Sequence, residues 1–218
     1  MSNAAIQLLV LAGVAIFLIL KLKSVLGTRE GFEKPPTPMA VDKSRRAGLE
    51  VIEGGPDRDI TDHVEEGSDA AKALVAMKGA DQSFMVGEFL QGARSAYEMI
   101  LMGFEKGELN SIRPFLAEDV FNAFSEVVAE REKKGLTVEA EFIGVSETTL
   151  VGADFDRSTG IGEMHVRFVG ELRSAVRDSA GDIVEGDPKE LKRQKDTWTF
   201  ARTLGSSDPN WQLVATGE

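Results

Sequence analysis

Few residues of this chain could do chemistry, and their spacing limits what each could do. The chain has two histidines, and either side chain could serve as a general base. His63 stands in an acidic, turn-rich stretch with no periodic frame to position it. His165 lies in a run where Met164, Val166 and Phe168 alternate with His165 and Arg167; alternation along a strand sends the first set inward and His165 outward. Asp154 and Asp156 form a D-x-D that could hold a cation, but in a turn such acids more commonly close hydrogen bonds onto their own backbone. The acids of VEGDPKE, residues 184–190, read as a charged loop, and Glu139 and Glu141 as the wet face of a strand. Cysteine is absent, which excludes disulfides, thiolate catalysis and cysteine-ligated zinc. No nucleotide-binding loop, serine elbow or paired-histidine zinc spacing occurs. These residues lead us to expect no catalytic residue, no metal site and no cofactor.

The elements around them begin with an apolar run, Ala4 to Leu20, broken only by Gln7 and followed by Lys21 and Lys23. At ~1.5 Å per residue it makes roughly 26 Å of helix, and Leu22 with the snorkelling lysine stems extends it toward the ~30 Å of a bilayer core. A secretory leader would place basic residues before the run and a small-residue cleavage site after it. This chain has neither, so residues 1–26 are expected to form an uncleaved transmembrane anchor. Lys21, Lys23, Arg29 and Lys34 all follow the run, which orients the short N-terminus outward and the remainder toward the cytoplasm.

Residues 27–67 read as a flexible acidic linker, punctuated by proline in GFEKPPTPM and without apolar periodicity. The third part, residues 68–218, is the expected domain. Ser68 can cap a helix to about Lys78, and Asp81 a longer one ending at Gly107. In the longer helix Phe89, Leu90, Ala93, Ala96, Tyr97, Ile100, Leu101 and Phe104 recur at steps of three and four, a one-sided core pattern. Pro114 opens or interrupts the next element, and Val120, Phe121, Phe124, Val127 and Val128 mark a third helix closed by Gly135. From Leu136 the period changes to strand-like runs separated by DFDRSTG, DSAGD and GSSDPN. Helices followed by a strand meander give an α+β fold, with helices packed on one face of an antiparallel sheet. Trp198 and Phe200 share one strand face, and Trp211 and Leu213 share another; they either fill the core or line a pocket between the layers.

Net charge is −11, of which −9 falls in residues 76–218. A nucleic-acid partner needs a cationic face, so none is expected, and a ribosome tether is disfavoured on the same ground.

Two segments, FLQGARSAYEMILMGFEKGELNSIRPFLAEDVFNAF and VEGDPKELKRQKDTWTFARTLGSSDPNWQLVAT, resemble the helical and sheet halves of the Tim44-like domain family, over about residues 84–216. The resemblance implies a cone of the nuclear-transport-factor-two-like type with a curved antiparallel sheet and a hollow. It also implies a bacterial inner-membrane protein anchored by one span. Gly92, Gly107, Pro114, Asp208, Pro209 and Asn210 match the family's structural positions. Gly92 and Ala93 would admit another element against the long helix, and Asp208, Pro209 and Asn210 would turn Trp211 toward the core. Ala117 stands where the family carries a capping serine. The candidate lining of the hollow is Phe89, Ala93, Tyr97, Phe168, Trp198, Phe200 and Trp211, around a lipid or apolar ligand if one binds. The implied function is a non-enzymatic, membrane-held adaptor binding protein partners in translocation, membrane-protein assembly or quality control. The alternatives are a ligand-binding cone or an isomerase- or dehydratase-like enzyme. For the enzyme, Tyr97 beside a buried carboxylate would be the candidate.

Overall fold

The computed structural model describes residues 56–217; the apolar run and the linker up to residue 55 lie outside the described residues. Among the described residues no helix is long and apolar enough to cross a membrane. The described part forms an α+β unit, helices first and then a four-stranded antiparallel sheet in the order β1-β2-β3-β4.

The fold starts earlier than the expected boundary at residue 68. A one-turn helix, α1 (Arg58–Thr61), is capped by Asp57, whose side chain accepts from the Asp59 amide, and Ile60 is buried in the core. Its acids, read in sequence as linker charge, do structural work. Asp59 accepts the backbone N–H groups of Val86 and Gly87 at 2.8 and 2.9 Å and pairs with Lys78 at 2.7 Å. Helix α2 (Asp69–Ala80) follows, capped by Ser68 as its sequence predicts, with Ala71, Leu74 and Met77 facing inward.

The long helix α3 (Val86–Glu105) begins later than expected, and its N-cap is Met85, which has no side-chain cap bond. Asp81 instead accepts from the Ser83 amide and hydroxyl and from Arg202. The reason is spatial: Asp59, 27 residues upstream, already supplies the acceptors that the first turn of α3 lacks. Gly107, at φ +72°, ends the helix, with the Glu108 N–H returning to the Gly103 carbonyl. A short helix α4 (Leu109–Ile112) and a 3-10 turn (Arg113–Phe115) containing Pro114 lead to α5 (Glu118–Lys133). The α5 N-cap is Ala117, with no side-chain bond. Its apolar face is only partly used: Val120 and Val128 are buried, Phe121 and Phe124 half-buried, and Val127 is exposed, against its expected place on the packed face.

The strands are β1 (Thr137–Asp156), β2 (Ile161–Arg177), β3 (Ile183–Thr203) and β4 (Gln212–Gly217). The segment VEGDPKE, expected as a loop, lies within β3. Asp187 pairs with Ser174 and pairing resumes at Lys192 opposite Leu172, so residues 188–191 bulge out and accommodate Pro188 without breaking the strand.

Tyr97 joins the layers. Its ring, inaccessible to solvent, stacks on Phe168 of β2 at 4.5 Å and contacts Trp198 of β3 at 4.7 Å and Phe142 of β1 at 6.2 Å. The hydroxyl lies over Gly170, where an added Cβ would sit 2.7 Å from the oxygen, and donates to Asp196 at 2.5 Å.

Two outcomes follow. Tyr97→Phe keeps the ring and removes only the donor, so it should cost about 1 kcal/mol in urea unfolding. Asp59→Ala should cost about 1–2 kcal/mol, because two amides and an ammonium lose their acceptor. Burial raises the Asp59 carboxyl pKa, but the Lys78 hydrogen bond, the two amides and the Lys78 charge outweigh it and hold it below 3.8. A depressed folded-state pKa adds stability above the unfolded value and loses it as pH falls through the folded value. The deficit of Asp59→Ala should therefore be complete at neutral pH and narrow below about pH 4, which parallel denaturation curves at both pH values would check.

Candidate functional site

A groove of about 320 Å³ runs along the N-terminal half of α3. On the helix side it is lined by Phe84, Met85, Glu88, Phe89, Gly92, Ala93 and Ala96. The opposite wall is Phe115, Phe200 and Arg202, with the turn Pro209, Asn210 and Trp211. The turn is self-held: Asp208 accepts from the Asn210 backbone at 2.9 Å and its side-chain amide at 2.8 Å. Arg202 fastens three parts together. It donates to Asp81 at 2.5 Å and to the Pro209 carbonyl at 3.3 Å, and its guanidinium lies 5.2 Å from the Trp211 ring centroid. Trp211 then packs on Phe89 at 4.7 Å and on Phe84 at 5.7 Å, while Phe89 sets its edge against Phe200. The Asp81 carboxyl sits below its usual value, chiefly through the Ser83 hydroxyl, although burial raises it and Arg202 is a further lowering charge. The result is an aromatic trough with a fixed cation at its edge, suited to holding an apolar or amphipathic surface.

The expected lining divides in two. Phe89, Ala93, Phe200 and Trp211 face the groove. Tyr97, Phe168 and Trp198 instead form the buried aromatic knot between α3 and the sheet. A carboxylate does stand beside Tyr97, the arrangement an enzyme reading requires. Yet Tyr97 is fully enclosed, and burial, followed by the Asp196 hydrogen bond and charge, pushes the phenol well above its ordinary pKa. Its proton is a structural donor with no room for a substrate against it.

Of the positions expected from the resemblance, Gly92, Pro209 and Asn210 lie in the groove, and Asp208 braces its turn. Gly107 ends α3, and Pro114 lines a separate, more polar cleft with Arg113 and Gln212. Gly92 differs from expectation: no element approaches it, and an added Cβ would meet nothing within 4 Å. His165 faces outward as alternation predicts, between Asp154 at 2.9 Å and Thr199 at 2.9 Å. Asp156 uses its oxygens on Ser158 and Thr159 in the β1–β2 turn, which draw its pKa down to about 2. Among the described residues no group of acids and histidines could hold a metal ion. Sequence reasoning missed Arg202, Phe84 and Met85. Arg202 was within reach, since it shares the strand face of Trp198 and Phe200; nothing local marks Phe84 or Met85.

Because Gly92 has free space around it, Gly92→Ala should raise stability by about 0.5–1 kcal/mol through helix propensity alone, read as a higher urea midpoint. A loss of stability would mean that the position is packed.

Residues 70–218 match the family model described as the Tim44-like domain. The mitochondrial import inner membrane translocase subunit TIM44 of Homo sapiens is 20% identical over 181 residues, covering 81% of this chain. The match covers only 40% of that relative's length. The intermembrane-space region of the chloroplast protein ARC6 aligns with a TM-score of 0.36 and 10% identity over 57% of this chain and 94% of that one. That likeness is too low to bear on fold or function. The match of the family model over most of the chain makes this protein a member of the Tim44-like domain family.

Proposed function

We propose that this protein is a non-enzymatic adaptor of a bacterial inner membrane. Ala4–Leu20 anchors it, the acidic linker sets its reach, and the groove beside α3 receives protein partners on the cytoplasmic side. The family supports a role beside protein translocation, since the human relative is named as a subunit of an import translocase. Membrane-protein assembly or quality control would use the same device: a tether raises the effective concentration of a modest binding site near partners in the same membrane.

The observation that carries this reading is Gly92. A glycine in the middle of an exposed helical stretch costs roughly 0.5–1 kcal/mol relative to alanine, and nothing within the described fold requires it. It lines an aromatic groove, where the missing side chain lets another backbone come close. An acidic domain, −9 over residues 76–218, also disfavours rRNA and anionic headgroups as the occupant.

The test is photo-crosslinking in intact membranes, with a benzophenone side chain replacing Glu88 on the groove wall. Protein adducts are expected from the full chain and should be lost when residues 1–26 are deleted. Equal adducts from the truncated form, or from a benzophenone at Arg167 on the outer sheet face, would remove the proposal.

A further inference from the structure

The sheet is open along one edge. Strand β4 pairs with β3 only over residues 197–201, and among the described residues no strand pairs with β3 on that side before Thr197. Residues 192–196 keep unbroken register with β2, so this open edge is regular over about 17 Å at ~3.4 Å per residue. Upstream, the bulge at residues 188–191 and Pro188 end it. We propose that residues 192–196 receive an extended, acidic segment of a protein partner, which joins the sheet as a fifth strand in line with β4. None of these residues lines the groove beside α3, so the two surfaces are separate.

The charge pattern of the sheet selects this occupant. Arg177, Arg173 and Arg167 of β2 pair with Glu139, Glu141 and Glu147 of β1, and Arg193 of β3 pairs with Glu171 of β2. Each strand thus meets the cations of the next with acids, and the series stops at β3. From Lys189 to Lys195 four of seven residues are cations and Glu190 is the sole acid, in a domain that is otherwise strongly acidic. Among the described residues Lys189, Lys192 and Lys195 form no salt bridge; Lys192 and Lys195 act on Glu105 and Glu147 only as more distant charges. An acidic strand would continue the series and close the open backbone, since strand addition takes its affinity from main-chain hydrogen bonds and its specificity from alternate side chains. A second copy of the same edge, paired about Gln194, would set Arg193 opposite Lys195, and like charges directly opposite are destabilising. An anionic lipid surface would meet the lysines but leave the backbone edge unpaired, and the domain's net charge repels it. The edge is also preformed. Tyr97 holds Asp196 at 2.5 Å, and Arg193 is braced by Glu171 and by the Ser146 hydroxyl.

The probe is a fluorescein-labelled heptapeptide of alternating glutamate and threonine, titrated with the full chain in phosphatidylcholine nanodiscs and read by fluorescence anisotropy. Saturable binding is expected, weakened at least about fivefold by Lys192→Glu with Lys195→Glu, because two exposed charge pairs are lost and reversed. Both side chains are exposed, so the fold should persist; the neutral pair Lys192→Gln and Lys195→Gln should weaken binding less. A peptide with lysine in place of glutamate should not bind. Two further peptides carry N-methyl groups on alternate residues, one on each set. A strand paired along one edge tolerates methylation of the outward-facing amides and loses binding when the inward set is methylated. Absence of binding, equal binding to the charge-reversed variant, or indifference to both methylation patterns would overturn the proposal. So would lysine-dependent binding to phosphatidylglycerol vesicles without peptide binding, which would assign the cations to headgroups.

Discussion

The placement of α3 on the sheet depends on one side chain. Tyr97 is the chain's only tyrosine, and it enters a notch that exists because position 170 has no Cβ. Its ring stacks on Phe168, and its hydroxyl donates to Asp196 of β3. A phenol buried this completely has to satisfy its O–H, and the partner carboxylate lies on a strand 99 residues away in sequence. That constraint sets the rotation of the helix as well as its depth. With Tyr97 seated, Phe89 and Ala93 follow on the same face toward the N-terminus, and Gly92 lines the groove beside them.

The groove is thus a consequence of where packing stops. Around Tyr97 the layers are filled by Trp198, Phe168 and Phe200; toward the start of α3 the sheet gives way to a turn braced by Asp208 and Arg202. Arg202 reaches Asp81 before α3 and Pro209 in the turn, so both sides of the trough are fixed to one guanidinium. Asp59 fixes the same end of the helix from below. A surface held at this many points loses little order when something binds to it.

Much of this was legible in the residues. The apolar steps of three and four gave α3 its buried face, Ser68 gave the start of α2, and Gly107 and Gly135 gave helix ends. Alternation correctly sent Met164, Val166 and Phe168 inward and His165 outward. The failures share a cause. Asp81 has the right residue type for an N-cap, yet Asp59 of the distant helix α1 occupies that role. The acids of residues 57–67 look like a solvated linker, yet Asp59 gains its meaning only beside Lys78 and the first turn of α3. Residues 184–190 look like a loop because Pro188 and the charges forbid a regular central strand, but β2 tolerates them through a bulge. In each case a long-range partner overrode a local preference of about a kcal/mol.

The same division holds for the site. Residue types and spacing alone determined the class of fold, the order of its elements, the aromatic stock of the interface between layers and the acidic character of the domain. They could not decide which aromatics would be enclosed and which would line a groove, because strand and helix periodicity assign a face but not a depth. That was decided by the tertiary structure: where α3 crosses the sheet, how far the turn at Asp208 stands off, and the reach of Arg202. Depth is set by contacts between segments far apart in the chain, and no local pattern encodes them.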